Sequence, residues 1–261
     1  MMTSHRILTE LWNWHSPAWG IALIAIIVYV GDVYRRGASA LQIGLFITAV
    51  VTFIIALASP LAALASRFLF SAHMAQHLLL LLIVPLCAIL AWPSTQNAAA
   101  HRASSIRYSF GWLAGVSAMW FWHIPALCTA AMSSPVVFAV QVISLVGCGA
   151  AFWWPVFSPN VERRMPPHIA AGYLFAGCVG CSLLGIYITF SPVSVCPLYA
   201  MMTADSTGVL SVVREQWGLT HRIDQQVGGL LMWVPACVVY LSAILASLAT
   251  WYRTPELRKS T

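Results

Sequence analysis

Phe70-Ser71-Ala72-His73-Met74-Ala75-Gln76-His77 runs without a break into Leu78-Leu79-Leu80-Leu81-Leu82-Ile83-Val84. A stretch this apolar reads as a membrane helix. Histidines four residues apart lie on one face of a helix, one turn above the other. The pair therefore sits inside a membrane helix near one of its ends. Imidazoles in hydrocarbon are costly and face a bundle interior or a cavity, so the rest of the chain is expected to supply a cage around His73 and His77.

The composition points the same way. The 261 residues are 60% hydrophobic and only 8% charged, with a mean hydropathy of +0.82. No soluble domain of this size hides that much apolar surface. In the bilayer core only helices or a closed barrel satisfy the backbone, and the apolar runs are continuous rather than alternating, which selects helices. A net charge of +6 would suggest nucleic acid for a soluble chain. Here it reflects loop arginines, and lipid rather than nucleic acid is the expected surrounding. The seven cysteines show no spaced disulfide framework; most fall in apolar runs, where they pack as small hydrophobes.

Residues 1–14 form a short mixed head rather than a signal peptide, because the apolar run behind it lacks a small-residue cleavage site and ends in Asp32-Val33-Tyr34-Arg35-Arg36. Spans of about 20 residues are expected at 17–34, 42–58, 71–91, 108–130, 136–157, 168–191 and 223–251. This is an all-α polytopic membrane protein, a single seven-helix transmembrane domain over 1–261. Cytoplasmic loops carry excess Lys and Arg. With the loop after the first helix placed inside, the inner segments hold Arg35, Arg36, Arg102, Arg107, Arg163, Arg164, Arg253, Arg258 and Lys259. The outer ones hold only Arg6, Arg67, Arg214 and Arg222. The N-terminus is thus expected outside and the C-terminus in the cytoplasm.

That orientation sorts the histidines. His15, His73, His77, His123 and His221 fall toward the outer side, His101 and His168 toward the inner side, and His5 lies in the head. Imidazoles at i and i+4 suit one metal ion, or one ligand and its support; the alternative is a polar helix–helix contact made by His73, Gln76 and His77. His123 precedes Ile124-Pro125, where the proline removes a helical hydrogen bond, frees carbonyls and re-aims the imidazole; an interfacial aromatic belt is the other reading. Asp224-Gln225-Gln226 opens the last span. There Asp224 favours the helix N-terminus, or orients an imidazole or binds a cation, and Gly228-Gly229 permits close helix approach. Cys178-Val179-Gly180-Cys181 has redox or metal spacing, but it lies in mid-membrane among glycines and reads as a packing stripe. Met201, Met202 and Cys196 are soft outer-loop donors that suit Cu(I). There is no Walker loop, dinucleotide fingerprint or Gly-x-Ser-x-Gly elbow, so no enzyme activity is expected.

With these residues laid out, the chain resembles the CtaG family of cytochrome c oxidase assembly factors. The resemblance rests on pieces in the family's order over most of the chain. They are Ser59-Pro60-Leu61-Ala62-Ala63-Leu64, Phe70 through His77 into the leucines, Trp122-His123-Ile124-Pro125-Ala126-Leu127, Phe152-Trp153-Trp154-Pro155-Val156, Leu183-Leu184-Gly185 with Thr189-Phe190-Ser191-Pro192, and Asp224-Gln225-Gln226 through Met232-Trp233-Val234-Pro235. The resemblance implies a multi-spanning protein of a bacterial cytoplasmic membrane that helps mature a haem-copper oxidase at its copper centre, with oxidase subunits as partners. It carries over His73, His77, His123 and Asp224. In one place the chain departs from the family, where another histidine often stands about ten residues before Phe-Trp-Trp; here Gln141-Val142 occupies that region, with His221 and His15 as replacements on the same side.

The expected function is a copper-binding assembly factor at the outer face, with His73, His77 and His123 as ligands and Asp224 and His221 in the metal set. Two alternatives stay open: a b-type haem protein in electron transfer with His77 and His123 as axial ligands, and a cofactor-free scaffold for oxidase subunits.

Overall fold

A computed structural model describes residues 3–93, 105–201, 205 and 207–253. His101, Arg102, Met202, Arg258 and Lys259 lie outside the described residues. All regular structure among those described is helical. In order it comprises α1 (Ser4–Glu10), α2 (Ala18–Arg36), α3 (Ala40–Ala58), α4 (Pro60–Arg67), α5 (Phe70–Leu78), a π-helical turn (Leu79–Ile83) and α6 (Val84–Ala91). There follow α7 (Ser105–Trp122), α8 (Pro125–Ser133), α9 (Pro135–Phe157), a 3-10 turn (Val161–Arg163), α10 (Pro167–Phe190), α11 (Pro197–Met201), α12 (Val209–Ser211), a second π-helical turn (Val212–Gln216) and α13 (His221–Arg253).

Six helices are long and apolar enough to cross a membrane, and a seventh span results if the bent pair Ile106–Trp122 and Pro125–Ser133 counts as one. The expected fourth span, 108–130, is therefore not one straight helix: it turns by 77° at the break before Pro125. The cause is local. Pro125 has no N–H to donate, Ile124 is extended, and the amides of His123 and Ile124 bond back only three residues, to Trp120 and Phe121. The Met119 carbonyl, which the His123 amide would take in a continuous helix, is released.

The span Phe70–Ala91 is central. It is 56% buried over its most apolar window, against 17–33% for the other straight spans. Its π-helical turn begins at Leu79, two residues after His77. Such turns absorb an extra residue in a helix and recur at functional sites, and here Pro85 explains one. A proline ring clashes with the carbonyl four residues back, that of Leu81. The released carbonyl is met by α9 at Gly149, where an added Cβ would overlap the Leu81 oxygen and approach the Pro85 ring to 2.8 Å.

Elsewhere the sequence signals read directly into caps. Ser39 and Gln42 form a capping box at the start of α3, and Ser59 closes α3 while capping α4 ahead of Pro60. α10 and α13 form the most extensive helix pair, drawn together at Gly185, where a Cβ would come 2.6 Å from that of Trp233. At about 1.5 Å per residue, the 33 residues of α13 exceed the roughly 30 Å hydrocarbon core. One end of α13 therefore projects beyond the span.

The cysteines require a correction. Cys128 on α8 and Cys196 just before α11 form a disulfide across 68 residues of sequence, so not all cysteines are packing residues, and Cys196 is not a free soft donor. The spacing gave no hint because the partners meet only after α7 and α8 bend. Cys178 and Cys181 behave as packing residues: Cys181 donates to the Met232 carbonyl, and Cys178 lies against Cys237.

The Gly149 contact yields a prediction. Gly149→Ala is expected to destabilise the protein by about 1–3 kcal/mol through overpacking, whereas Gly147→Ala, at a position open on every side, leaves stability unchanged or slightly raised. Thermal unfolding of the two variants in detergent checks this.

Candidate functional site

His73 and His77 project from α5 into the bundle, where they are met by His123 from the broken end of α7. All three are buried. The ring centroids of His73 and His77 lie 4.3 Å apart, and those of His77 and His123 5.1 Å apart, edge to face. The site is placed by two devices.

The first is Asp224. Its two carboxylate oxygens accept from the backbone amides of Phe70 and Ser71 at 2.8 and 2.9 Å. Leu69, which precedes α5, offers no side chain to those amides. Asp224 thus caps α5 from another helix, the carboxylate meeting the positive end of the helix dipole. Its neighbour Gln225 does a parallel task. The Gln225 amide oxygen accepts from the Val195 N–H, and its amide nitrogen donates toward the carbonyls of Ile188, Ser191 and Val193. This stitches the segment leading to the Cys196 disulfide. In a metal-binding reading Asp224 therefore anchors the helix that carries the imidazoles.

The second device is the chain break at Pro125. The Met119 carbonyl released there lies 2.5 Å from His123 Nδ1, which fixes the ring. On its far edge, His123 Nε2 lies 3.1 Å from Met74 Sδ. Gln76 is anchored by donating to the Ala56 carbonyl at 2.7 Å and also meets His73. Gln141, at the position where the sequence departs from the family, is buried against His77 with its amide nitrogen unpartnered. Tyr199 lies against the His73 ring and donates to the Ala65 carbonyl, closing the site beneath α11.

Several imidazole nitrogens are left over. His73 Nε2 is buried without a hydrogen-bond partner among the described residues, and neither nitrogen of His77 makes a well-formed hydrogen bond there, the Gln141 side chain being the polar group set against that ring. An unsatisfied buried polar group costs about 1–3 kcal/mol, so three in one place call for an explanation. Among the described residues no three His, Cys, Asp or Glu side chains stand close enough to hold a metal ion as they are. A cleft of about 520 Å3 reaches this cluster, with His73 and Gln76 among its lining residues together with Ser66, Arg67 and Met132.

The other expected residues lie apart. His15 is exposed in the turn before α2, and His5 and His168 are exposed. His221, half-buried at the start of α13, has its Nδ1 unpartnered and is a turn away along the helix from Asp224. Met201 is exposed on α11. Sequence reasoning missed Met74 and Tyr199. For Met74 the available signal was its position three residues before His77, on the same helix face; Tyr199 carried none.

These features define a polytopic helical membrane protein with a buried imidazole cluster that is accessible from one end. The chain belongs to the caa3 cytochrome c oxidase assembly factor family, Caa3_CtaG, whose model matches residues 24–254. No curated protein and no solved structure matches it.

The cap assigned to Asp224 is testable. Asp224→Asn offers one amide an N–H instead of an oxygen and is expected to cost about 1–3 kcal/mol, lowering the thermal midpoint. A site that takes up metal through its imidazoles should bind the same amount per folded molecule, as measured by metal analysis of the purified variant.

Proposed function

We propose that this chain carries copper during the maturation of a haem-copper oxidase, holding the ion on His73, His77 and His123 and passing it to an oxidase subunit. The observation that carries the reading is the cluster of buried nitrogens on His73 and His77 that lack well-formed hydrogen bonds. A structural polar contact would pair them; a cargo site needs donors kept free. The donor set suits a soft or borderline ion, and neutral imidazole is a general copper ligand. The cleft leading to His73 supplies the exchange route that a closed structural site lacks. The role is one of delivery, with no catalytic residue assigned.

The arginine bias supports an outer-side placement of the site, with the N-terminus outside and the C-terminus in the cytoplasm of a bacterium. The Cys128–Cys196 disulfide beside it also supports this, since disulfides persist in oxidising compartments. Oxidase subunits are the proposed partners, and His221 on the same side is a second-tier donor. The haem alternative finds less support: His77 and His123 are in edge-to-face contact at 5.1 Å, which leaves no layer for a macrocycle between them.

The test exploits the missing hydrogen bonds. A buried polar side chain without a well-formed hydrogen bond already carries its desolvation cost, so an apolar replacement of similar volume forfeits little. His77→Leu is therefore expected to keep its thermal midpoint while losing copper uptake and the maturation of the oxidase. Oxidase maturation that persists in a folded His77→Leu variant that binds no copper would favour the cofactor-free scaffold reading instead, and copper uptake unchanged in that variant would remove His77 from the site.

A further inference from the structure

We infer that Met74 is a thioether ligand of the carried ion, which makes the site one for monovalent copper. The inference rests on the copper reading above and adds to it the fourth donor and the oxidation state. It starts from one contact, the 3.1 Å between His123 Nε2 and Met74 Sδ. A carbonyl oxygen only accepts, so the 2.5 Å contact of His123 Nδ1 with the Met119 carbonyl assigns a proton to Nδ1. A second proton on Nε2 would place a full positive charge among imidazoles, amides and a thioether. The nearby carboxylate, Asp224, is engaged by the α5 amides. Nε2 therefore presents a lone pair, and so does the thioether, which has no hydrogen to give.

Two buried electron-pair donors that face each other at this distance repel unless a cation accepts from both. Met74 is fully buried in the core beside the two histidines of its own helix, so its sulfur is neither a solvent contact nor part of the lipid-facing surface. The ordinary alternative, a sulfur packed on an aromatic ring, has the sulfur about 5 Å from the ring; here it approaches the nitrogen. The His73 and His77 rings, whose nitrogens lack well-formed hydrogen bonds, lie 4.3 Å apart, and that of His77 lies 5.1 Å from His123. A thioether combined with imidazoles selects Cu(I) over Zn(II), Mn(II) and Mg(II), because thioether is a soft ligand.

The test is X-ray absorption at the copper edge on full-length protein loaded with Cu(I) in detergent. It is run on the native protein, on protein grown with selenomethionine, and on Met74→Leu, a volume-conserving change. The expected result is one sulfur neighbour per copper, replaced by selenium in the labelled protein and absent in Met74→Leu. Outer-shell partners of metal ligands already contribute about tenfold or more in affinity, so a lost ligand should weaken Cu(I) binding by at least that factor while binding of Zn(II) changes little. Because all nine methionines carry the label, a selenium neighbour shows only that a methionine binds; where Met74→Leu fails to fold, Met74→Ile read in the same way assigns it. Copper bound with nitrogen neighbours alone, or a sulfur neighbour that persists in Met74→Leu, overturns the assignment and leaves the copper reading standing. Native protein that takes up no Cu(I) overturns both.

Discussion

The carboxylate of Asp224 spans the gap between the last helix and the first turn of α5, accepting from the amides of Phe70 and Ser71. The start of a helix leaves amides without partners, and in a membrane protein no water is at hand in the interior to take them. Here the partner comes from 153 residues away in the chain. It fixes the height and rotation of the helix that carries His73, Met74 and His77. The glycines that follow Asp224 let α13 close on α5 and α10: a Cβ on Gly228 would run into the Phe70 ring at 2.7 Å, and one on Gly229 would overlap the Thr189 hydroxyl. In hydrocarbon, where apolar burial gives little drive for helix association, such close backbone approach is a main source of cohesion.

Around that anchor the bundle holds its imidazoles in a state that is costly to maintain. Pro125 breaks α7 and frees the Met119 carbonyl, which orients His123; Pro85 and the π-helical turn loosen the central helix just past His77. Both breaks flank the cluster. Helical irregularity inside a membrane is tolerated only where protein or a cavity covers the exposed backbone, and α9 covers one break at Gly149. The disulfide and Tyr199 hold α8 and α11 over the other end. The result is a frame around donors that make few bonds within the fold, the arrangement on which the proposed carrier role rests.

Much of this was legible in the residues. Long apolar runs and alternating arginine density marked the spans, because both are local and set by the solvent. His73, His77 and His123 were legible because an imidazole in hydrocarbon is conspicuous, and Pro125 announced the re-aiming of His123. Three things were not. Asp224 showed its preference for a helix start, but the helix it caps is α5 rather than its own, a fact of tertiary contact. Cys128 reads as one more apolar cysteine and Cys196 as a free loop donor, and only the folded chain, with its 77° bend before Pro125, shows them joined. Met74 is one methionine among nine, and only the direction of its sulfur, toward His123 Nε2, sets it apart.

The central claim is that the imidazole nitrogens without well-formed hydrogen bonds exist to receive a soft monovalent cation. The most direct measurement is nitrogen NMR of protein labelled at its eight histidines, titrated with Ag(I) as the diamagnetic counterpart of Cu(I). The account predicts that the ring nitrogens of His73, His77 and His123 shift together and saturate at one equivalent, while His5, His15 and His168 do not move. Shifts confined to the exposed histidines, or none at all, would contradict it.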